Sequence, residues 1–105
     1  MIDPQVAWDK LSGFETAEEL RKYFQELGIQ GRRGAFSGCP IANWISQQTG
    51  EPSVVDIGKI TIAHWTDDQY YRASVFNHTD ATYQFILDFD AGDYPELAQG
   101  EGEWL

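Results

Sequence analysis

The sequence predicts one α+β domain, in which three to four helices pack on a small antiparallel sheet of two or three strands. Apolar residues recur at helical spacing up to residue 50, alternate in the middle of the chain, and return to helical spacing after residue 80. The length of 105 residues is near the commonest size of a single domain. We expect a compact domain over residues 1–97 and a polar tail over residues 98–105.

The first helix is predicted from its start signals. Asp3 is a good capping residue and Pro4 is favoured at the first helical position, so a short helix should run to about Leu11. Val6 and Trp8 are its candidate apolar anchors.

The second helix follows a capping box that Thr16 opens and Glu19 closes. Gly28 supplies its stop. Its apolar stripe comprises Leu20, Tyr23, Phe24 and Leu27.

A third helix is predicted from Pro40, with Cys39 as its cap and Gly50 as its stop. Its buried stripe comprises Ile41, Trp44 and Ile45. A last helix should begin after the capping oxygens at residues 77–80 and run to about Ala91, before Gly92. Its stripe comprises Phe85, Ile86 and Phe89.

Strands are predicted between the third and last helices. Val54, Val55 and Ile57 form a short candidate, and Gly58 can provide a bend. Residues 59–65 and 70–76 then read as a hairpin around a turn, and so short a connection requires antiparallel pairing.

The charge distribution limits the classes of partner. The formal net charge is −10, which repels nucleic-acid backbones and anionic membranes. All seven Lys and Arg residues lie in residues 1–72, so residues 73–105 carry seven acidic side chains and no base. This acidic third predicts either a solubilising surface or a binding surface. A binding surface would dock a basic protein or mimic DNA.

A single cysteine cannot form an internal disulfide, and this favours a reducing compartment. We therefore expect a cytoplasmic protein. The longest apolar runs are only a few residues, far short of the roughly 20 needed to span a bilayer. No membrane association is predicted.

Cys39 carries the first hypothesis about chemistry. A thiol at a helix N-terminus, near Arg32 and Arg33, could have a lowered pKa and act as a nucleophile. His64 or His78 would then serve as the base. The alternative is that Cys39 is a small buried apolar residue.

The loop over residues 31–38 carries a second hypothesis. Gly34, Gly38 and the two arginines, Arg32 and Arg33, precede a helix N-terminus and could bind a small anion. The following proline removes one amide donor, and the Lys-Ser/Thr ending of a nucleotide-binding P-loop is missing. The alternative is a structural turn with solvated arginines.

No metal or cofactor site is predicted. The two histidines and the cysteine lack the close ligand pairs of zinc sites. Three carboxylates lie across the end of the last helix instead of within a calcium-binding loop, and they read as surface acids: Asp88, Asp90 and Asp93.

The segment over residues 90–97 has two interpretations. Tyr94 and Leu97 can fold back on the core as a C-terminal clasp. Alternatively, an exposed Tyr94 and Trp104 among acidic residues would form a partner-binding patch, because aromatic anchors dominate interface energetics.

Two segments carry a resemblance. The Gly-Cys-Pro-Ile-Ala-Asn-Trp-Ile element at residues 38–45 and the Phe-Asp-Ala-Gly-Asp-Tyr-Pro-Glu-Leu element at residues 89–97 resemble those of a family of small bacterial and phage proteins of about this length. The resemblance implies a compact cytoplasmic domain and no catalytic role.

The sequence therefore favours a non-enzymatic accessory domain that binds a basic protein. A thiol-dependent enzyme that uses Cys39 with a histidine base is the alternative, and small-anion binding at residues 31–38 is a further one.

Overall fold

Four helices and a three-stranded antiparallel sheet make up the part of the chain that this computed structural model describes, residues 1–35, 37–65 and 71–98. The helices are α1 (Pro4–Ser12), α2 (Ala17–Leu27), α3 (Pro40–Thr49) and α4 (Asp80–Asp90). The strands are β1 (Ser53–Val55), β2 (Lys59–Trp65) and β3 (Tyr71–Asn77), and a 3₁₀ helix covers Pro95–Leu97. These elements form a single domain, and the predicted α+β class is confirmed.

The sheet has the order β1-β2-β3, with both neighbours antiparallel to the central β2. Thr61 of β2 pairs with Val54 of β1 on one side and with Val75 of β3 on the other. The predicted hairpin is confirmed, while its turn at residues 66–69 lies outside the described part of the chain.

The helices begin and end where local chemistry predicts. Asp3 and Thr16 accept hydrogen bonds from backbone N–H groups in the first turns of α1 and α2. Gly28 and Gly50 follow α2 and α3 with φ of 72° and 74°, a left-handed conformation that glycine adopts without steric cost. The helix boundaries are therefore encoded locally.

Two predicted apolar positions, Val6 and Leu27, are not buried, and the predicted strand residue Ile57 lies outside β1. Val6 is 53% exposed, because α1 buries Ala7 and Leu11, which are one helical turn apart on its inner face. Leu27, the last residue of α2, is 51% exposed. Ile57 lies beyond the end of β1 and is 57% exposed.

The turn at Asp56 explains why β1 ends before Ile57. The Asp56 carboxylate accepts hydrogen bonds from the backbone N–H groups of Gly58 (2.7 Å) and Lys59 (2.8 Å). Such a local bond competes with the extended conformation and closes a tight turn. Ile57 is held at its tip.

The helices cover one face of the sheet. α3 packs on β1, and α1 packs on β3, where Trp8 stacks on Phe76 with ring centroids 5.5 Å apart. The largest fully buried side chains include Trp44, Phe24, Phe85 and Phe89. Val54 and Val75, on the opposite face, are 44% and 55% exposed, so the described residues leave that face of the sheet open.

The C-terminal segment folds back as a clasp. Leu97 is buried, and its carbonyl oxygen accepts a hydrogen bond from the backbone N–H of Gly31 (2.9 Å). Glu96 forms an ion pair with Arg21 of α2 (2.6 Å). A β-bridge between Gly31 and Ala98 extends the domain to residue 98, one residue beyond the predicted boundary, and the rest of the tail is outside the described residues.

In the described residues, none of the helices combines the length and the apolar character that crossing a lipid bilayer requires. The longest, α2 and α4, have 11 residues each. At a rise of about 1.5 Å per residue, such helices reach only about half of the hydrocarbon thickness.

Candidate functional site

An apolar cavity of about 270 Å³ lies between the loop before α3, the turn after β1, and α4. Its lining consists mostly of aliphatic and aromatic side chains, with two carboxylates among them. The lining includes Cys39, Val55, Ile57, Phe85, Ile86, Leu87 and Phe89, together with Asp56 and Asp90.

Local structure places each wall of this cavity. Phe85 and Phe89 are one helical turn apart on α4 and are both buried, so they form its base. Val55 ends β1, and the Asp56 turn holds Ile57 beside it. Ile57 and Leu87 remain 57% and 38% exposed, so apolar surface is accessible beside the cavity.

The Cys39 thiol is part of the cavity wall and is 6% exposed. Burial raises its pKa to about 11, and the nearby Asp90 carboxylate acts in the same direction. Its Sγ accepts a hydrogen bond from the backbone N–H of Ala42 (3.4 Å), which confirms the predicted helix cap. The expected lowering of the pKa is wrong, because loss of hydration outweighs the favourable helix N-terminus.

The hydrogen-bond partners of His78 do not include Cys39. Its Nε2 lies 2.6 Å from the carbonyl oxygen of Asp56, and its Nδ1 lies 3.0 Å from the hydroxyl oxygen of Thr82. Because a carbonyl only accepts, Nε2 carries a proton and donates it there. His78 thus links the β1–β2 turn to the start of α4, and both ring nitrogens are used in that link.

The other candidate base, His64, lies on β2 and pairs with Arg72 in the strand register. Its side chain is outside the described part of the structure. The nucleophile and base of the thiol-enzyme hypothesis are therefore not assembled by the described residues.

The loop over residues 31–38 uses its amide groups internally. Four backbone N–H groups that an anion would need already donate to protein acceptors. The bonds are Gly31 to Leu97 O, Arg32 to Gly38 O, Gly34 to Asp90 Oδ1, and Gly38 to Ala35 O. The carboxylate of Asp90 thus holds one position that an external anion would take, and anion binding by Arg32 and Arg33 stays a prediction.

The two arginines of this loop lie in different settings. A Cβ built on Gly92 would lie 2.7 Å from an Nη1 atom of Arg33, so that guanidinium lies against the C-terminal end of α4. The C-terminal end of a helix carries partial negative charge, and a nearby cation stabilises it. Arg32 is exposed. Arg33 therefore has a structural position at the helix end.

Tyr94 is 8% exposed and contacts the Phe85 ring, with centroids 5.3 Å apart. Burial raises its pKa, as does the hydrogen bond that its hydroxyl donates to Asp88 (3.0 Å). The partner-binding role predicted for Tyr94 is wrong, because a buried ring cannot anchor a partner, whereas the clasp interpretation is confirmed for this residue. Trp104 lies outside the described residues.

The three acidic residues at the end of α4 make different hydrogen bonds. Asp88 accepts from Tyr94 and Asp90 accepts from Gly34, while Asp93 donates its backbone N–H to the Asp88 carbonyl (3.0 Å). Two of these surface acids therefore fasten loops to α4.

Sequence reasoning missed Asp56, Ile57 and Leu87 as neighbours in one site. An available signal was the Asp-Ile-Gly sequence at residues 56–58, in which an aspartate and a glycine favour a turn and leave the isoleucine at its tip. Nothing in the local sequence places that tip beside α4.

Comparison of the chain with models of known families, with curated proteins and with solved structures finds no match. The resemblance of residues 38–45 and 89–97 to small bacterial and phage proteins stays a prediction.

Proposed function

We propose that this chain is a non-enzymatic, cytoplasmic protein-binding domain that accepts an apolar side chain of a basic protein partner in the cavity beside α4. The observation that carries the proposal is a cavity that combines apolar walls, exposed apolar residues at Ile57 and Leu87, and the carboxylates of Asp56 and Asp90. Partner surfaces bind through such apolar centres surrounded by polar rims.

The size of the cavity supports a side chain as its occupant. Pockets for drug-sized ligands have volumes of roughly 300 to 1,000 Å³, and this cavity of about 270 Å³ is smaller. A leucine, methionine or phenylalanine side chain from a partner is an occupant of suitable size and polarity. Burying such a side chain contributes roughly 1.5–3 kcal/mol.

The charge around the cavity supports a basic partner. Backbone N–H groups of Lys59 and Gly58 lower the pKa of Asp56, which keeps that carboxylate ionised at neutral pH. The whole chain carries a net charge of −10, so a basic partner is attracted over a distance and nucleic acid is repelled.

The state of Cys39 favours binding over catalysis. A thiol with a pKa of about 11 is protonated at neutral pH and behaves as a small apolar group. Cys39 then contributes wall surface to the cavity, in agreement with its 6% exposure.

Titration with a defined peptide tests the proposal. The probe is a short peptide with one leucine flanked by lysines, followed by amide chemical shifts of the ¹⁵N-labelled protein. We expect shifts at Ala35, Ile57 and Leu87, and an affinity that falls as salt increases. A peptide with glutamates in place of the lysines should bind more weakly.

Matched variants locate the site. Ile57→Ser together with Leu87→Ser should weaken binding about tenfold, because each change removes exposed apolar surface beside the cavity. Val54→Ser together with Val75→Ser removes similar exposed surface from the open face of the sheet and should leave the affinity unchanged. Equal affinities for the first pair and the wild type would refute the cavity as the binding site.

A further inference from the structure

We propose that the free edge of β3 pairs with the same edge of a second copy of this chain, forming a dimer with one continuous six-stranded antiparallel sheet. The proposal does not depend on the cavity beside α4. It follows from the direction of the main-chain hydrogen bonds in the sheet and from the residues along its outer strand.

Two hydrogen bonds fix which residues of β2 face β1. The N–H of Asp56 donates to the carbonyl of Lys59, and the N–H of Ala63 donates to the carbonyl of Pro52, both at 3.0 Å. Hydrogen-bonded and non-hydrogen-bonded pairs alternate along an antiparallel ladder. Odd-numbered residues of β2 therefore direct their N–H and C=O groups to β1, and even-numbered residues direct theirs to β3.

The same alternation applies to β3. Ile60 and Ile62 pair with Phe76 and Ser74, so these even-numbered residues of β3 bond to β2. Ala73 and Val75 then direct their N–H and C=O groups away from the sheet. Among the described residues, no backbone group outside the strands bonds to either of them.

The part of this edge that follows Arg72 lacks the features that usually prevent strand pairing. Residues 73–77 contain no charged side chain and no proline, and the register from Ala73 to Asn77 runs without a bulge. Ala73, Val75 and Asn77 are all exposed. Within the described part of the chain, the edge is therefore open to another strand.

Charge favours a second copy along this strand. Two chains that each carry −10 repel one another, so they must meet where carboxylates are absent. Residues 73–77 form such a neutral segment. The carboxylates of Asp56 and Asp90 at the cavity beside α4 would instead repel a second copy and attract a basic partner.

When two β3 strands pair antiparallel, each strand satisfies the outward N–H and C=O groups of the other. With the two-fold axis at Ser74, Ala73 faces Val75 of the second copy and Val75 faces its Ala73, which allows four main-chain hydrogen bonds. Asn77 and the backbone of Tyr71 face one another in the same register. Every outward N–H at these positions then meets an outward carbonyl.

Sedimentation equilibrium over a range of protein concentrations tests the dimer. We expect the wild-type mass to rise to twice the monomer mass, and Val75→Pro to stay monomeric. Proline removes the outward N–H at this position without removing a bond to β2, and edge strands tolerate it there. Val75→Thr keeps the N–H and a branched side chain, and should dimerise as the wild type does.

Two further measurements keep the test decisive. Val54→Ser changes the open sheet face away from β3, so it should leave the dimer intact, and dissociation of this variant would indicate stacking of sheet faces instead. If Val75→Pro fails to fold, hydrogen exchange of the wild type at Ala73 and Val75 serves in its place. Exchange that does not slow with concentration, or a wild type that is monomeric at millimolar concentration, would overturn the proposal.

Discussion

The Asp90 carboxylate accepts a hydrogen bond from the backbone N–H of Gly34, over a distance of 2.9 Å. This bond fastens the glycine-rich loop to the C-terminal end of α4. It also places a negative charge beside Cys39, whose thiol it helps to keep protonated. Asp90 therefore takes a backbone N–H that the predicted anion site would use, and it adds to the effect of burial on the Cys39 pKa.

Replacing Asp90 should loosen this loop. We expect Asp90→Ala to lower the free energy of unfolding by about 1 kcal/mol, because it removes the acceptor for the Gly34 N–H. Asp90→Asn keeps an acceptor oxygen, so it should lower the free energy of unfolding by a smaller amount. Urea denaturation of the three proteins measures the order of their stabilities. Equal stability of Asp90→Ala and wild type would contradict the prediction.

The Cys39 thiol should react slowly in the folded protein. Raising its pKa from 9 to about 11 lowers the thiolate fraction at neutral pH about a hundredfold, and burial restricts access further. Alkylation by iodoacetamide, followed by mass spectrometry, should be fast only in denaturant. Folded protein that reacts as fast as the denatured chain would contradict the buried position.

Gly31 should be intolerant of any side chain. A Cβ at this position would lie 2.4 Å from the backbone nitrogen of Pro40, which is far inside van der Waals contact. We expect Gly31→Ala to lower the free energy of unfolding by roughly 1–3 kcal/mol. Gly13→Ala is the matched control, since its Cβ would have no contact closer than 3.5 Å, and it should change stability by less than about 0.5 kcal/mol.

The hydroxyl of Tyr94 should make stability sensitive to alkaline pH. Its pKa is raised above the ordinary value of 10, chiefly by burial and also by Asp88, so the folded state holds this proton more tightly than the unfolded state. The resulting contribution is fully present below pH 10 and is lost as the pH rises through the raised pKa. In thermal denaturation at pH values from about 8 to 11, the melting temperature should therefore fall more steeply with pH for the wild type than for Tyr94→Phe.

At neutral pH the same variant measures the clasp. Tyr94→Phe removes the donor to Asp88 and should lower the free energy of unfolding by about 1 kcal/mol. Identical alkaline profiles for the two proteins would show that the Tyr94 hydroxyl does not retain its proton in the folded state.

Much of the fold was predictable because its signals are local. Caps such as Asp3 and Thr16, and left-handed stops such as Gly28, act within a few residues of the helix ends that they determine. The change from helical to alternating spacing likewise locates the hairpin. The errors at Val6 and Leu27 concern which apolar residues face the core, and that depends on the neighbouring elements.

The candidate site was predictable only in part. The sequence singled out Cys39 and the loop around it, and correctly placed Cys39 as the cap of α3. It could not predict that burial would raise the pKa of this thiol, because hydration depends on residues far away in sequence, such as Val55 and Phe89 in the same cavity.

By itself, therefore, the sequence determined the helices, the hairpin and the acidic character of the chain, since these depend on local propensity and composition. Only the tertiary structure decided how the loop is used. Packing α4 against it brings Asp90 to Gly34, although 56 positions separate them, and converts a potentially reactive segment into part of the wall of an apolar cavity.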